Sequence, residues 1–313
     1  MAARIAGRRR SRPDGRVVLP VRPPYDLRRT VQCGQAFGWR TDRANVTGVF
    51  AAKRVRLAQT AGGIIVEGLS DERDLVRLRH YLGLDEPLEA VESELMRDRV
   101  LRRILPRTSG IALLRQDPWE CLVSFIISAF NNIPKIELSL DRLTRQFGEG
   151  VAEGVWSFPE PARLAGARLK DLHRCALGYR APYVRRVARL LASGQVDLSA
   201  IGQMPFHEAR YALQALPGVG EKVADCVLLF AYRRIEAFPV DVWVKRAVER
   251  WYFHGRRATA RQIQEFARSQ FGSLAGYAQQ HLFYYIRKQE ATSRKQQASD
   301  VNASLRSGRR LPR

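Results

Sequence analysis

The segment Leu216-Pro-Gly-Val-Gly220-Glu-Lys222-Val-Ala-Asp-Cys226 leaves this chain few ways to fold. Upstream, Met204 to Ala215 carries apolar residues at helical spacing, and Lys222 to Arg233 does the same downstream. Between them Pro217 fixes its own φ while Gly218 and Gly220 admit φ > 0, so the chain can reverse sharply. Such a turn is expected to aim the amides of Val219 and Gly220, and the first amides of the next helix, outward without partners. That is a cradle for a phosphate oxygen. The pattern is a helix-hairpin-helix, which grips a nucleic-acid backbone without reading bases.

Lys222 asks for more than a grip. The chain has 53 Lys and Arg, of which only seven are lysines. Where positive charge alone is needed, arginine is the default here. An amine, unlike a guanidinium, forms an imine once its neutral form is favoured, as burial and a helix N-terminus both do. Asp241 follows Phe238-Pro-Val240 and heads a second apolar-periodic run, Val242 to Trp251. The plain reading makes Asp241 an N-cap and Lys222 a phosphate contact. The chemical reading makes them proton acceptor and nucleophile. A capping carboxylate is also a rigid one, so Asp241 can serve both.

LPGVGEKVADC followed by FPVDVW resembles the active-site segment of the 8-oxoguanine DNA glycosylases of the HhH-GPD superfamily. The resemblance implies that Lys222 attacks the sugar C1′ of a damaged nucleotide and that Asp241 accepts its proton and stabilises the cationic sugar. Cys226, one turn beyond Lys222 on the same face, would pack on the flipped base; read alone, it is equally a small buried hydrophobe. Gly218, Val219 and Gly220 would hold the DNA backbone. Trp243 stands where well-known relatives carry a phosphate-contacting histidine, and offers an N–H without charge.

Other segments fall in the family's order. Cys33-Gly-Gln-Ala-Phe-Gly-Trp-Arg40 resembles its N-terminal signature. There the Gly34 carbonyl would accept N7–H of 8-oxoguanine, a donor that guanine lacks. QDPWECLVSFIISAFNNIPKI resembles the segment facing the opposite strand. The family usually has three asparagines there; this chain has Phe130, Asn131 and Asn132, with Lys135 as a further donor. A phenylalanine can stack or wedge instead of hydrogen-bonding. In Gly178-Tyr-Arg-Ala-Pro-Tyr183, Tyr179 would wedge into the vacated stack and Arg180 would bond the orphaned cytosine. Near the end, Gln279 would bond the Watson–Crick edge of the flipped base and Phe283 would stack on it opposite Cys226.

Composition supports a DNA partner. The net charge is +22; residues 1–16 and 291–313 carry +5 each, so +12 remains on the body. No apolar run approaches the roughly 20 residues of a membrane span. The four cysteines (Cys33, Cys121, Cys175, Cys226) show no metal-binding spacing, which argues against zinc and against the iron–sulfur loop of the endonuclease III relatives. No cofactor is expected.

The fold class is α+β, mainly α: an antiparallel β-sheet domain over 17–110, then a helical HhH-GPD glycosylase region over 111–290. Residues 1–16 and 291–313 read as disordered basic tails. Strands are expected at Val17–Leu19, 36–40, Val46–Phe50, 55–57 and 64–66, with a hairpin turn at Ala61-Gly-Gly63. Asp117-Pro-Trp-Glu120 opens an almost wholly apolar core helix with a capping box. The implied activity is that of a bifunctional glycosylase/AP lyase, a monomer acting on double-stranded DNA with oxidised guanine. Its place would be the bacterial cytoplasm or the eukaryotic nucleus. Two alternatives stay open: the same chassis on another lesion or opposite base, and a non-catalytic helix-hairpin-helix DNA-binding protein.

Overall fold

The computed structural model describes residues 10–11 and 16–306. Within them β1 (Arg10–Ser11), β2 (Val17–Leu19), β3 (Arg40–Thr41), β4 (Val46–Phe50), β5 (Lys53–Thr60) and β6 (Gly63–Glu67) form one antiparallel sheet in the order β1-β2-β6-β5-β4-β3. Register follows the alternation of side chains. Val46 lies opposite Leu57, and Leu57 opposite Val66, all buried, while Arg54 and Arg56 face out. A slip of one residue would turn those arginines inward.

Two expectations change here. Of the stretch 36–40 only Arg40 enters a strand; Phe37 and Trp39 are buried in a turn, where packing overrides their β-propensity. Before that turn comes a short helix, α1 (Leu27–Gln32), capped by Asp26, whose carboxylate accepts from Arg29 N. The basic arm is also not wholly irregular. Arg10–Ser11 pairs with Val17–Val18, because the edge of β2 offers unpaired backbone groups to any partner strand. The rest of the arm, 1–9 and 12–15, lies outside the described residues.

Helices then take over: α2 (Glu72–Tyr81), α3 (Leu88–Leu95), α4 (Arg99–Thr108), α5 (Pro118–Ser128), α6 (Ile133–Phe147), α7 (Pro161–Ala165), α8 (Leu169–Arg174), α9 (Ala181–Ala192), α10 (Leu198–Gln203), α11 (Phe206–Gln214), α12 (Glu221–Phe230), α13 (Val242–Trp251), α14 (Ala260–Phe271) and α15 (Ala275–Arg306). A helix that is apolar all round belongs in the middle. Accordingly α5 buries Leu122, Val123, Phe125, Ile126 and Ile127, and packs on α6 and α12. Asp117 caps it by accepting from Trp119 N and Glu120 N. The reciprocal half of the expected capping box is not formed; burial and the charge of Asp117 push the Glu120 carboxyl up to about 7. One continuous apolar core joins sheet and helices, from Val55 to Leu122 to Val227.

The last helix corrects the expectation for the C-terminus. It runs on to Arg306 because 291–306 contains no Gly or Pro and is rich in Ala, Gln, Lys and Arg; 307–313 lies outside the described residues. Its start is set by close approach. Gly276 N donates to Ile235 O at 2.7 Å, and a Cβ on Gly276 would lie 2.9 Å from that oxygen and 3.2 Å from Ala237 O. Gly276→Ala is expected to lower stability by about 1–3 kcal/mol, a drop of several degrees in Tm by calorimetry. An unchanged Tm would show that α15 can shift.

Candidate active site

A cavity of about 390 Å³ opens where the α5–α6 junction, α12, the start of α13, α15 and the turn at Gly34 converge. Its wall brings together Gly34, Asn131, Asn132, Lys222, Cys226, Asp241, Trp243, Gln279 and Phe283, which are scattered through the sequence. A larger cavity of about 690 Å³, bordered by Trp39, Tyr81 and Glu120, contains neither Lys222 nor Asp241. Among the described residues no group of three His, Cys, Asp or Glu comes together at metal-binding spacing.

Lys222 lies in the first turn of α12. Its Nζ donates to Ser128 Oγ at 2.9 Å and sits 4.9 Å from the Phe125 ring centroid. Ser128 in turn donates to Phe125 O at 2.8 Å, so its hydroxyl proton is engaged and its lone pairs face the lysine. Asp241 caps α13: Oδ1 accepts from Trp243 N at 2.9 Å and Val244 N at 2.8 Å. Burial pushes its carboxyl above the ordinary aspartate range. The amides of Val244 and Trp243 and the charges of Lys222 and Arg287 pull the other way. The net result is a rigid carboxylate of raised basicity beside an amine, which suits proton acceptance.

Gly34, Cys226, Gln279 and Phe283 share another part of the cavity wall. Gly34 has φ +87°, and a Cβ there would lie 2.8 Å from Phe283 Cε1 and 3.2 Å from an Arg287 nitrogen. Glutamines fix the turn around it. Gln280 Nε2 donates to Cys33 O at 2.9 Å; Gln35 Nε2 donates to Thr30 O at 2.9 Å and Ala112 O at 2.8 Å; Gln116 Nε2 donates to Gln35 O at 2.6 Å. Each such bond is worth about 1 kcal/mol net, and leaving one of these buried groups unpaired costs about 1–3 kcal/mol. Gln279 shows the contrast. Its Nε2 reaches Pro239 O at 3.3 Å, but its buried Oε1 has no hydrogen-bond partner among the described residues. Cys226 is a neutral thiol, pushed up to about 12 by burial against the opposing charge of Lys222. Arg287 lies 5.0 Å from the Phe283 ring centroid.

The hairpin sits at the cavity's edge. Arg210 of α11 grips Asp225 of α12 with two bonds, at 2.7 and 3.0 Å, and Gln264 of α14 donates to the same carboxylate at 2.7 Å. Burial raises the Asp225 carboxyl to about 6 despite Arg210. Gly218 adopts φ +80° against Tyr183. Val219 corrects an expectation: its amide donates back to Leu216 O at 3.1 Å and its side chain is buried. The cradle therefore begins at Gly220, where no side chain caps α12 and the space beside the Cα is open.

The residues expected to face the opposite strand lie outside the cavity, except Asn131 and Asn132. Phe130 is 98% exposed and Lys135 is exposed. Tyr179 is 55% exposed, with the Arg180 guanidinium 4.3 Å from its ring centroid. Arg180 differs from expectation. It is buried and turned to the carbonyls of Ala129, Phe130 and Leu177 rather than outward. Beside Trp243, Arg246 lies 5.0 Å from the indole ring, one helical turn on, so positive charge is present after all. Sequence reading missed Ser128 and Arg287. A serine ending an apolar helix and an arginine four residues after Phe283 were the available signals.

Two helices joined by a Gly-rich turn, with a lysine and a capping aspartate on the wall of one cavity, define a class: helix-hairpin-helix base-excision proteins. Residues 123–272 match the family model of the HhH-GPD superfamily base excision DNA repair protein, and residues 18–122 match that of the 8-oxoguanine DNA glycosylase N-terminal domain. The chain belongs to the 8-oxoguanine DNA glycosylase family. It is 36% identical to the probable N-glycosylase/DNA lyase of Methanothermobacter thermautotrophicus, over 65% of this chain and 72% of that one. Among solved structures it resembles MBOgg1 in complex with a low-affinity DNA ligand (TM-score 0.83, 34% identity, 88% of this chain and 96% of that one). It also resembles the Clostridium acetobutylicum 8-oxoguanine glycosylase/lyase in complex with double-stranded DNA containing cytosine opposite the lesion (TM-score 0.81, 32% identity, 85% and 93%).

The cavity wall at Gly34 can be tested. Gly34→Ala puts a methyl group against Phe283 and forces an L-residue to φ +87°. Lesion binding is expected to weaken by about tenfold or more in fluorescence titration, while binding to undamaged duplex stays within about twofold. Equal loss on both DNAs would mean that the turn serves folding alone.

Proposed function

We propose that this chain removes 8-oxoguanine from duplex DNA and nicks the strand, with Lys222 as nucleophile and Asp241 as proton acceptor. The observation that carries this reading is a single cavity holding both residues together with a buried acceptor, Gln279 Oε1, that has no donor among the described residues. The N1–H and exocyclic amine of a guanine-type base are donors of the right kind. The Gly34 carbonyl would take N7–H, which only the oxidised base has, with Phe283 and Cys226 on the two ring faces.

A base inside a duplex is out of reach, so it must be flipped at a cost of a few kcal/mol. The turn grips the backbone from Gly220 onward, where no side chain caps α12, and Tyr179 occupies the vacated place. Nζ of Lys222 attacks C1′, the glycosidic bond breaks, and its electron pair leaves with the base, which takes up a proton. Asp241 receives the proton shed by the attacking nitrogen. Opening of the sugar ring gives an imine between Nζ and C1′. Loss of a C2′ proton to water then expels the 3′ phosphate. No metal or redox step enters this scheme. We read the protein as a monomer working where the genome lies, in a bacterial cytoplasm or a eukaryotic nucleus.

Borohydride should trap a covalent adduct on duplexes containing 8-oxoguanine, and Lys222→Gln should abolish adduct and base release while lesion binding persists. Release at wild-type rate by that variant would overturn the mechanism. pH gives a second test. Asp241 acts as the carboxylate, and burial raises its pKa, so base release should fall with acidification at a pH above the ordinary aspartate value of about 3.9. In Asp241→Asn the remaining activity should lack that acid limb. Persistence of the limb would assign it to another group.

A further inference from the structure

The junction between α5 and α6 spends conformational strain on presenting one ring. Phe130 holds φ at +48°, in the left-handed region that bulky residues avoid, and its side chain is almost fully exposed. Neither condition helps a phenylalanine, and strain of this kind persists only where the surroundings impose it. They do so here. Arg180, itself 5% exposed, donates Nε to Ala129 O at 2.8 Å and NH2 to Phe130 O at 3.1 Å, holding the carbonyls on both sides of the strained residue. Tyr179 OH adds a bond to Ala129 O at 3.3 Å. The asparagines are also engaged. Asn131 Nδ2 donates to Ile127 O at 3.1 Å and its Oδ1 accepts from Asn132 N at 3.0 Å; Asn132 Oδ1 caps α6 through Lys135 N at 3.0 Å.

Much of the loop's polar capacity is thus spent on the loop itself, and beside the exposed Asn132 it shows to the outside an apolar ring fixed at its root. Beside it stands the half-exposed ring of Tyr179, edge-on to Tyr183 at 6.4 Å. Apolar side chains on a basic protein that grips a DNA backbone are wedges for a base stack. A phenyl ring carries no donor or acceptor, while every base has a π face.

Resting on the function proposed above, we infer that Phe130 enters the duplex opposite the lesion and holds the unpaired base there by stacking. Arg180 is then a positioning residue, setting the ring through the Ala129 and Phe130 carbonyls. The lesion's former partner is read by its stacking surface rather than by its hydrogen-bonding edge, so the enzyme has little preference among partners.

The test is single-turnover base release by the full chain on four duplexes, with 8-oxoguanine opposite C, A, G or T. The four rates are expected to agree within about threefold. A preference for C above about tenfold, the size of a bidentate hydrogen-bonded reading, overturns the inference. Phe130→Ala should slow all four by about tenfold without changing their ratios. Arg180→Ala should do the same, and the double variant should be no slower than Phe130→Ala alone. Additive losses would refute the positioning role. A readout that needs no catalysis separates this inference from the function it rests on. With 2-aminopurine opposite an abasic analogue, the wild type should quench the probe on binding and Phe130→Ala should not. Release from none of the four duplexes would sink the proposed function, and the quenching result would then decide the stacking inference by itself.

Discussion

The carboxylate of Asp225 governs how the rest of the site is arranged. Removing a carboxylate from water costs several kcal/mol, and only good geometry with full hydrogen bonding offsets it. The fork of Arg210 on α11 and the amide of Gln264 on α14 supply that. The position of α11, α12 and α14 relative to one another is therefore fixed at one point. Asp225 lies three residues after Lys222 and one before Cys226. Once its direction is fixed, those two residues, sharing the neighbouring face of the helix, must turn toward α5 and the cavity. A purely apolar contact would tolerate rotation of α12; a bidentate ion pair does not.

A second constraint comes from the opposite wall. The turn at Gly34 belongs to the sheet-bearing part of the chain, yet it lies against Phe283 and Arg287 of the last long helix. Gln280, beside Gln279 on that helix, holds the Cys33 carbonyl. One helix therefore carries Gln279 and Phe283 on the cavity wall and, between them, Gln280, which holds the N-terminal turn in place. This is why the sheet and the helical region share one core. The cavity that holds Lys222 and Asp241 is their seam, and its width depends on both.

Much of this was legible in the sequence because the hairpin obeys local rules. Proline and glycine mark the turn, periodicity marks α11 and α12, and Asp241 stands at a helix start where a carboxylate caps. The strands β2, β4, β5 and β6 were readable for the same reason, through β-formers bounded by turn residues. What was not legible depends on contacts between distant segments. Phe37 and Trp39 have strand propensities but are buried in a turn by the neighbouring helices. The amide of Val219 turns back to Leu216 because its side chain is drawn into the core. Arg180 reads as a surface cation until the chain brings Ala129 and Phe130 next to it, 50 residues away. No local pattern encodes such an encounter. The helical course of 291–306 illustrates the opposite error, in which a polar composition was taken for irregularity although the residues themselves favour helix.

The Oε1 of Gln279, without a hydrogen-bond partner among the described residues, also bears on what can occupy the cavity. A ligand that seats beside this acceptor without answering it leaves it buried and unpaired, at a cost of about 1–3 kcal/mol for a group of this type. A small molecule that brings an N–H to that atom relieves the penalty, and one that brings a carbonyl or a ring nitrogen compounds it. Between two inhibitors of equal shape this single polarity is worth roughly five- to a hundredfold in affinity. The cavity therefore sorts heterocycles by the direction of one hydrogen bond before any chemistry begins.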